Sequence, residues 1–375
     1  MLRIILVVLG IIAYIVFAID LWMNIKTWVA RIKIGRWNES EKWFNAVEKI
    51  AEKWINRTPI VKKTDQNRYV LIDMMRRNYK SNTIQSWQIG GLYLGLTEAN
   101  ADNVQKYEKL FINENGMWTK EPEEIDQGIL AYGILRSTTD IKRVRPAMDR
   151  MYQLICKRKA KEDGCVQYRE YVPQFRFVDT IGFICPFLAL YGKTYDRPEA
   201  VDLAIHQIKE YYKKGLHNET LVPAHAISIE LNFPLGIYGW GRGVAWFMLG
   251  ILDMWKELDI GHSEYQNICL MIKDFADKMK LYQNTDGNYF SRFGTLSRID
   301  SSITAVAAYF YKKCGEIFDN TEYKNISHNC CIALMKNTRR SGKIDFSQGD
   351  TKGIGIYSEV FDILPFTQGM ALRSR

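Results

Sequence analysis

The sequence predicts an all-α protein in which twelve helices pair as six hairpins around a closed double ring, behind an N-terminal membrane helix. Three observations carry that expectation. Apolar residues recur at helical spacing, with short breaks, through nearly all of the chain after residue 38, and almost nothing reads as a strand. Segments apolar over most of their circumference, such as "TIGFICPFLALYG" and "RGVAWFMLGILDMW", alternate with amphipathic ones, as an inner and an outer layer require. No short sequence repeat is visible, which argues against an open solenoid.

The first element is the least like the rest. Ile4 to Ile19 carries no charge, and with Leu21, Trp22 and Met23 the run reaches the ~20 residues that span a bilayer. Asp20 lies near its end, where a charge can reach the interface, and Trp22 is placed as an interfacial anchor. Residues 1–25 are therefore expected to be a retained transmembrane anchor. The competing reading is a cleaved signal peptide, with Val16 and Ala18 before the cut but only Arg3 as its basic leader. Residues 26–38 form a basic linker with Lys26, Arg31, Lys33 and Arg36. Against Arg3 alone on the other side, the positive-inside rule puts the body in the cytoplasm.

Residues 39–375 make up the predicted barrel domain. Its helices are expected at 39–56, 84–98, 102–113, 125–138, 140–159, 179–192, 197–214, 242–258, 263–281, 300–316, 321–338 and 366–373. "DRPEAVDLAIHQIKEYYKKG" shows the pattern: Pro198 in the first turn, a stripe through Val201, Ala204, Ile205 and Ile208, and Gly215 as a stop. The long irregular segments 57–83, 160–178, 216–241, 282–299 and 339–365 fall between helix pairs, where rim loops of a ring would lie. Loops of that length in a compact domain are more often functional than idle.

Composition narrows the functions. The net charge of +9 comes from 51 basic and 42 acidic residues mixed along the chain, with no basic stripe or motif for nucleic acid. A carboxylate-bearing substrate or an anionic membrane surface fits that balance. The seven cysteines show no framework spacing and read as buried thiols. No HExxH, HxxxH or CxxC supports a metal, and no phosphate-binding or dinucleotide fingerprint supports a cofactor. Nothing in the sequence signals an oligomeric state.

A few residues could do chemistry. Asp126 and Asp179 each open an apolar helix, where an acid is ordinarily a first-turn residue satisfied by backbone amides. Asp179 also has Phe175 and Phe177 beside it, which would bury it and raise its pKa into the range of a usable proton donor. Two acids at one end of inward-facing helices are the minimum for general acid/base attack on a glycosidic or related bond. His225 lies in a loop ahead of "GIYGWGRGVAW", where Trp240, Arg242 and Trp246 are interleaved with glycines.

In order along the chain, "SWQIGGLYLGL" with Trp87, "IDQGILAYGIL", "FVDTIGFICPFLALYGK", "WGRGVAW", "IDSSITAVAAYF" and "FTQGMAL" resemble the motifs of the unsaturated uronyl hydrolases, glycoside hydrolase families 88 and 105. That resemblance implies an (α/α)6 barrel, a six-hairpin glycosidase, acting on an oligosaccharide with a terminal 4,5-unsaturated uronic acid. It implies that Asp179 protonates C4 of the vinyl ether and then activates water. Asp126 would hold ring hydroxyls and raise the pKa of Asp179 by like-charge proximity. Trp87, Trp240 and Trp246 would wall the sugar, and Arg242 and His225 would contact it. The chain departs from the pattern at Val244 and Ala245, where Asn-Gly is usual, and at Asp300, where Glu is usual. A glycosidase acting on a saturated sugar and a catalytically inactive glycan-binding barrel protein remain alternative readings.

Overall fold

The computed structural model describes residues 1–64, 70–99 and 104–375. Its helices are α1 (Leu2–Arg31), α2 (Ser40–Asn56), α3 (Val70–Met75), α4 (Ser86–Ala99), α5 (Val104–Glu108), α6 (Gly128–Ser137), α7 (Ile141–Lys157), α8 (Asp179–Tyr195), α9 (Pro198–Gly215), α10 (Gly241–Glu257), α11 (Tyr265–Met279), α12 (Ser301–Ile317), α13 (Thr321–Lys336) and α14 (Pro365–Leu372). Helices α4, α6, α8, α10, α12 and α14 touch in that order, and α14 returns to α4, so they close a ring. Around it α2 packs on α4 and α14, α7 on α6 and α8, α9 on α8, α11 on α10, and α13 on α12. Together with the short α5, these are the twelve expected barrel helices. Residues 102 and 103 of the expected helix 102–113 lie outside the described residues.

The two layers follow from side-chain pattern. In α8 every residue from Asp179 to Ala189 is buried, because the helix has neighbours on all sides. In α7 only a stripe is buried, Val144, Ala147, Met148, Met151 and Ile155, and the rest faces solvent. The ring closes where α4 crosses α14 on bare backbone. A Cβ on Gly95 would overlap the backbone of Gly369, and one on Gly369 would overlap Gly91.

Each inner helix is preceded by an outer helix and a return loop, so the inner helices run parallel with their N-termini at one end. The long segments 57–64 and 70–85, 109–127, 158–178, 216–240, 280–300 and 337–364 all gather at that end, and short turns such as 138–140, 196–197 and 318–320 at the other. The long loops are stitched by small antiparallel pairings that the sequence does not reveal. Phe175–Phe177, Ala226–Ser228 and Phe233–Leu235 form one sheet; Val61–Lys62 pairs with Lys80–Ser81, and Ser347–Gln348 with Phe361–Asp362. Two or three residues are too few to show a period of two.

The far end is plugged by charge. The fully buried Arg373 donates to Asp253 at 2.8 Å, pairs with Glu98 at 2.9 Å, and lies 3.7 Å over the Tyr309 ring. Tyr309 donates to the same Asp253 at 2.5 Å.

Helix α1 is long and apolar enough to cross a membrane, and none of its residues is buried. Its last turn is fixed to the body. Arg31 donates to both carboxylate oxygens of Asp345 at 2.9 and 2.8 Å and to the Phe361 carbonyl at 2.7 Å. Arg339 grips Asp345 at 2.6 Å and Asp362 at 2.6 Å. The cysteines correct the sequence expectation in part: Cys165, Cys185, Cys314 and Cys330 are buried, but Cys269 and Cys331 are half-buried and Cys156 is exposed. Cys156 lies on the solvent side of the α7 stripe, which its apolar neighbours had obscured.

Gly369→Ala inserts a methyl group into backbone with no side chain to yield. It is expected to cost at least ~1–3 kcal/mol and to lower the melting temperature by several degrees in a thermal melt followed by circular dichroism. A substitution tolerated without loss would show that the α4–α14 seam is looser than described.

Candidate active site

The long loops and the starts of the inner helices enclose a cavity of about 550 Å³. α4 contributes Trp87, α8 contributes Asp179 and Phe183, and α10 contributes Arg242 and Trp246. The loops add Tyr168, Arg169, Phe177, His225 and residues 350–354. Gly239, with φ of +79°, makes the left-handed turn that delivers Trp240 to the start of α10.

Asp179 is the first residue of α8, directly after the strand Phe175–Phe177. That places its carboxyl at the cavity floor rather than on a rim. Its Oδ2 is buried and has no hydrogen-bond partner among the described residues. Burial is the main cause that raises its pKa, to about 7; Asp350 pushes the same way, while Arg242, a backbone amide and Arg169 pull it down. A carboxyl held in this way can donate a proton near neutral pH.

His225 presents Nε2 to Asp179 Oδ2 at 3.9 Å. The two do not form an ion pair, because burial and then the Arg242 charge depress the histidine to about 4 and keep it neutral. Its tautomer follows from its other side. The Tyr357 hydroxyl accepts from the Ile237 amide at 3.1 Å and lies 3.2 Å from His225 Nδ1. The tyrosine can then donate to Nδ1, an arrangement in which the imidazole proton sits on Nε2, facing the acid.

Arg242 is fully buried and its donors are taken by the loop above it. Nη1 reaches the Gln348 carbonyl at 2.5 Å and Nη2 the Gly349 carbonyl at 2.6 Å. Asp300 holds the same loop from below: its Oδ1 accepts from Gln348 N at 3.1 Å and caps α12 through Ser302 N at 2.8 Å. Trp87 and Trp246 meet edge to face at 5.5 Å and wall the cavity.

Two expectations change. Trp240 is not in the lining: it lies behind His225, with ring centres 4.5 Å apart, and donates to Gln348 Oε1 at 3.0 Å. Asp126 is on the short helical turn Ile125–Gln127 and lines a neighbouring groove that shares only Gln85 and Arg169 with the cavity. Burial raises its pKa, against Arg169, whose Nη2 is 3.8 Å away. The like charge acting on Asp179 is therefore Asp350 rather than Asp126.

Asp350 was missed by sequence reasoning. Its side chain is 35% exposed to the cavity, but protein encloses it beyond that, and the wider enclosure raises its pKa. Gln85 donates to it. Arg169, Tyr168 and Tyr357 were missed as well. The available signal was their position in the long segments 160–178 and 339–365, as charges or hydroxyls beside aromatic residues and glycine.

Residues 48–369 match the model of Glycosyl Hydrolase Family 88. No curated protein matches the chain. Among solved structures, a possible family 105 member from Klebsiella pneumoniae has 17% identity and a TM-score of 0.73, with 90% of this chain and 93% of that one covered. A possible family 105 member from Salmonella enterica has 16% identity and a TM-score of 0.72, covering 90% and 94%. The unsaturated glucuronyl hydrolase of Bacillus sp. GL1 has 14% identity and a TM-score of 0.60, covering 88% and 93%. At such identities the likeness is one of fold.

The raised pKa of Asp179 has a cost in stability. The folded chain holds a proton between pH ~4 and ~7 that the unfolded chain releases, so stability falls as pH rises through that window and levels off above it. A move from 3.8 to about 7 corresponds to roughly 4 kcal/mol at most. Asp179→Asn is expected to melt at higher temperature than the parent at pH 8 and to lose that advantage toward pH 4. Equal melting temperatures across the range would mean an ordinary carboxylate.

Proposed function

The chain belongs to Glycosyl Hydrolase Family 88 and is a glycoside hydrolase, and on that premise we propose that it hydrates 4,5-unsaturated uronyl oligosaccharides with Asp179 as the acid. The observation that carries this reading is the unpartnered Oδ2 of a buried carboxyl with a pKa of about 7, in a cavity walled by Trp87 and Trp246.

The protonated Asp179 gives its proton to C4 of the vinyl ether, and the positive charge that develops lies at C5 and the ring oxygen. The resulting Asp179 carboxylate takes a proton from the water that adds at C5. The hemiketal then opens and releases the aglycone. Neutral His225, with Nε2–H toward the acid, donates to the substrate or to the attacking water. Arg169 and, at the mouth, Lys352 supply positive charge for the substrate carboxylate. Arg242 contributes mainly by fixing the loop that carries Asp350 and by limiting how far the pKa of Asp179 rises. Asp126, in the adjoining groove, holds hydroxyls of the substrate from the other side of Arg169.

We also take α1 as a single-pass anchor that holds the barrel at the membrane. The charge around it, Lys26, Lys33 and Arg36 after the apolar run against Arg3 before it, supports a cytoplasmic body.

Lyase-generated unsaturated disaccharides should lose the ultraviolet absorbance of their conjugated double bond when the enzyme is added. Asp179→Asn should lower kcat by ~10²–10⁴-fold, the usual worth of a general acid. The parent kcat/KM should fall as pH rises past about 7, where the donor is lost. Hydrolysis of saturated glycosides without bleaching would favour the ordinary glycosidase, and binding without turnover the glycan-binding protein. Protease added to intact cells should spare the body; digestion there would reverse the orientation.

A further inference from the structure

The C-terminal end of α1 meets the barrel at the end that carries the cavity. Arg31 is clamped to Asp345 and Phe361, which bracket the segment whose residues 350–354 line that cavity. A second contact lies higher on the helix, where Lys80 Nζ is 3.0 Å from Met23 Sδ. Met23 is where the apolar run ends. The two contacts are eight residues apart, about 12 Å along the axis, so the helix is held at two levels and cannot swing freely. The loop carrying Lys80 therefore reaches α1 at the height of the lipid headgroups.

The surface of that end is unusual. Beyond residue 39, the large apolar side chains more than half exposed include Ile60, Tyr171, Leu231, Phe233, Leu296 and Ile356, all in the long loops. Outside those loops and their flanking turns, only Ile260 and Leu270 are comparably exposed among the described residues. Leu296 is 99% exposed, on a loop with Arg292 and Arg298. Tyr171 lines the cavity mouth itself. Lys62 and Lys26 of α1 both lie near Lys80, whose pKa is lowered first by burial and then by these like charges. Apolar tips with basic residues beside a spanning helix are what an anionic bilayer surface takes up.

We propose that the cavity-bearing end of the barrel is a second membrane-contact surface, resting on anionic lipid headgroups, so that the saccharide substrate enters along the bilayer surface. This rests on α1 being a span. The loop tips insert between headgroups, and the Arg31–Asp345 clamp sets the angle at which they meet the lipid.

The full-length chain with Cys156→Ser is reconstituted in phosphatidylcholine–phosphatidylglycerol vesicles containing nitroxide-labelled lipid. Single cysteines for a fluorescent probe replace Tyr14 in the span, Phe233 or Leu296 at the cavity end, and Ile260 at the far end; the parent without an added cysteine is the blank. Most of the fluorescence should be lost at positions 14, 233 and 296, with position 260 bright. Loss at 14 with 233 and 296 bright overturns the docking and leaves the anchor standing. Position 14 bright overturns the anchor and the docking with it, and equal loss at 260 overturns the specific orientation. Adding Arg31→Gln should restore fluorescence at 233 and 296 but not at 14; no change would remove the clamp from the argument.

Discussion

The inner helices all point the same way, and that constraint decides what each end of the barrel can hold. Six parallel N-termini put partial positive charge at one end, and six C-termini put partial negative charge at the other. Acids can be buried at the first end, and Asp126, Asp179 and Asp300 are. Cations collect at the second: Arg136 and Lys256 in last turns, and Arg373 just beyond α14. The cavity is blind because the second end is filled by a satisfied ionic cluster, whereas the polar groups of the first end are not fully satisfied. Asp179 Oδ2 and Asp300 Oδ2 are both buried without partners.

That dissatisfaction is selective. Asp253 at the far end is as deeply buried as Asp179, but Arg373 and Lys256 outweigh the burial and hold it down at about 2. Asp179 has Arg242 nearby, yet the guanidinium is turned to two loop carbonyls and its charge is shared with Asp350 and Asp300. The same residue pair, a buried Asp and Arg, therefore makes a structural lock at one end and leaves a carboxyl with a raised pKa at the other. The difference lies in where the arginine aims its donors.

Much of the architecture was legible in the chain. Ten of the twelve barrel helices run ten to eighteen residues, enough for apolar periodicity to outweigh local noise, and helix starts at Asp179 and Thr321 matched the structure to the residue. The short α5 was overread, since five residues carry too little pattern. The cavity floor was legible for the same reason as the helices: Trp87, Asp179, Arg242 and Trp246 sit at fixed turns of long elements. The upper wall was not. Asp350, Arg169 and Tyr357 come from loops whose paths are set by two-residue strand pairings and by side chains hundreds of positions away, such as Gln85 with Asp350. Periodicity carries no information about such meetings. Trp240 was assigned to the wall because sequence shows that an indole is near, not which ring stands in front; His225 does.

The α4–α14 seam also has a consequence for how the molecule is made. α14 follows the other five ring helices in the chain, so the cylinder cannot be shut before α14 has been made. Without α14 the Gly91 and Gly95 face of α4 would be bare, and the remaining arc would have no closed pocket.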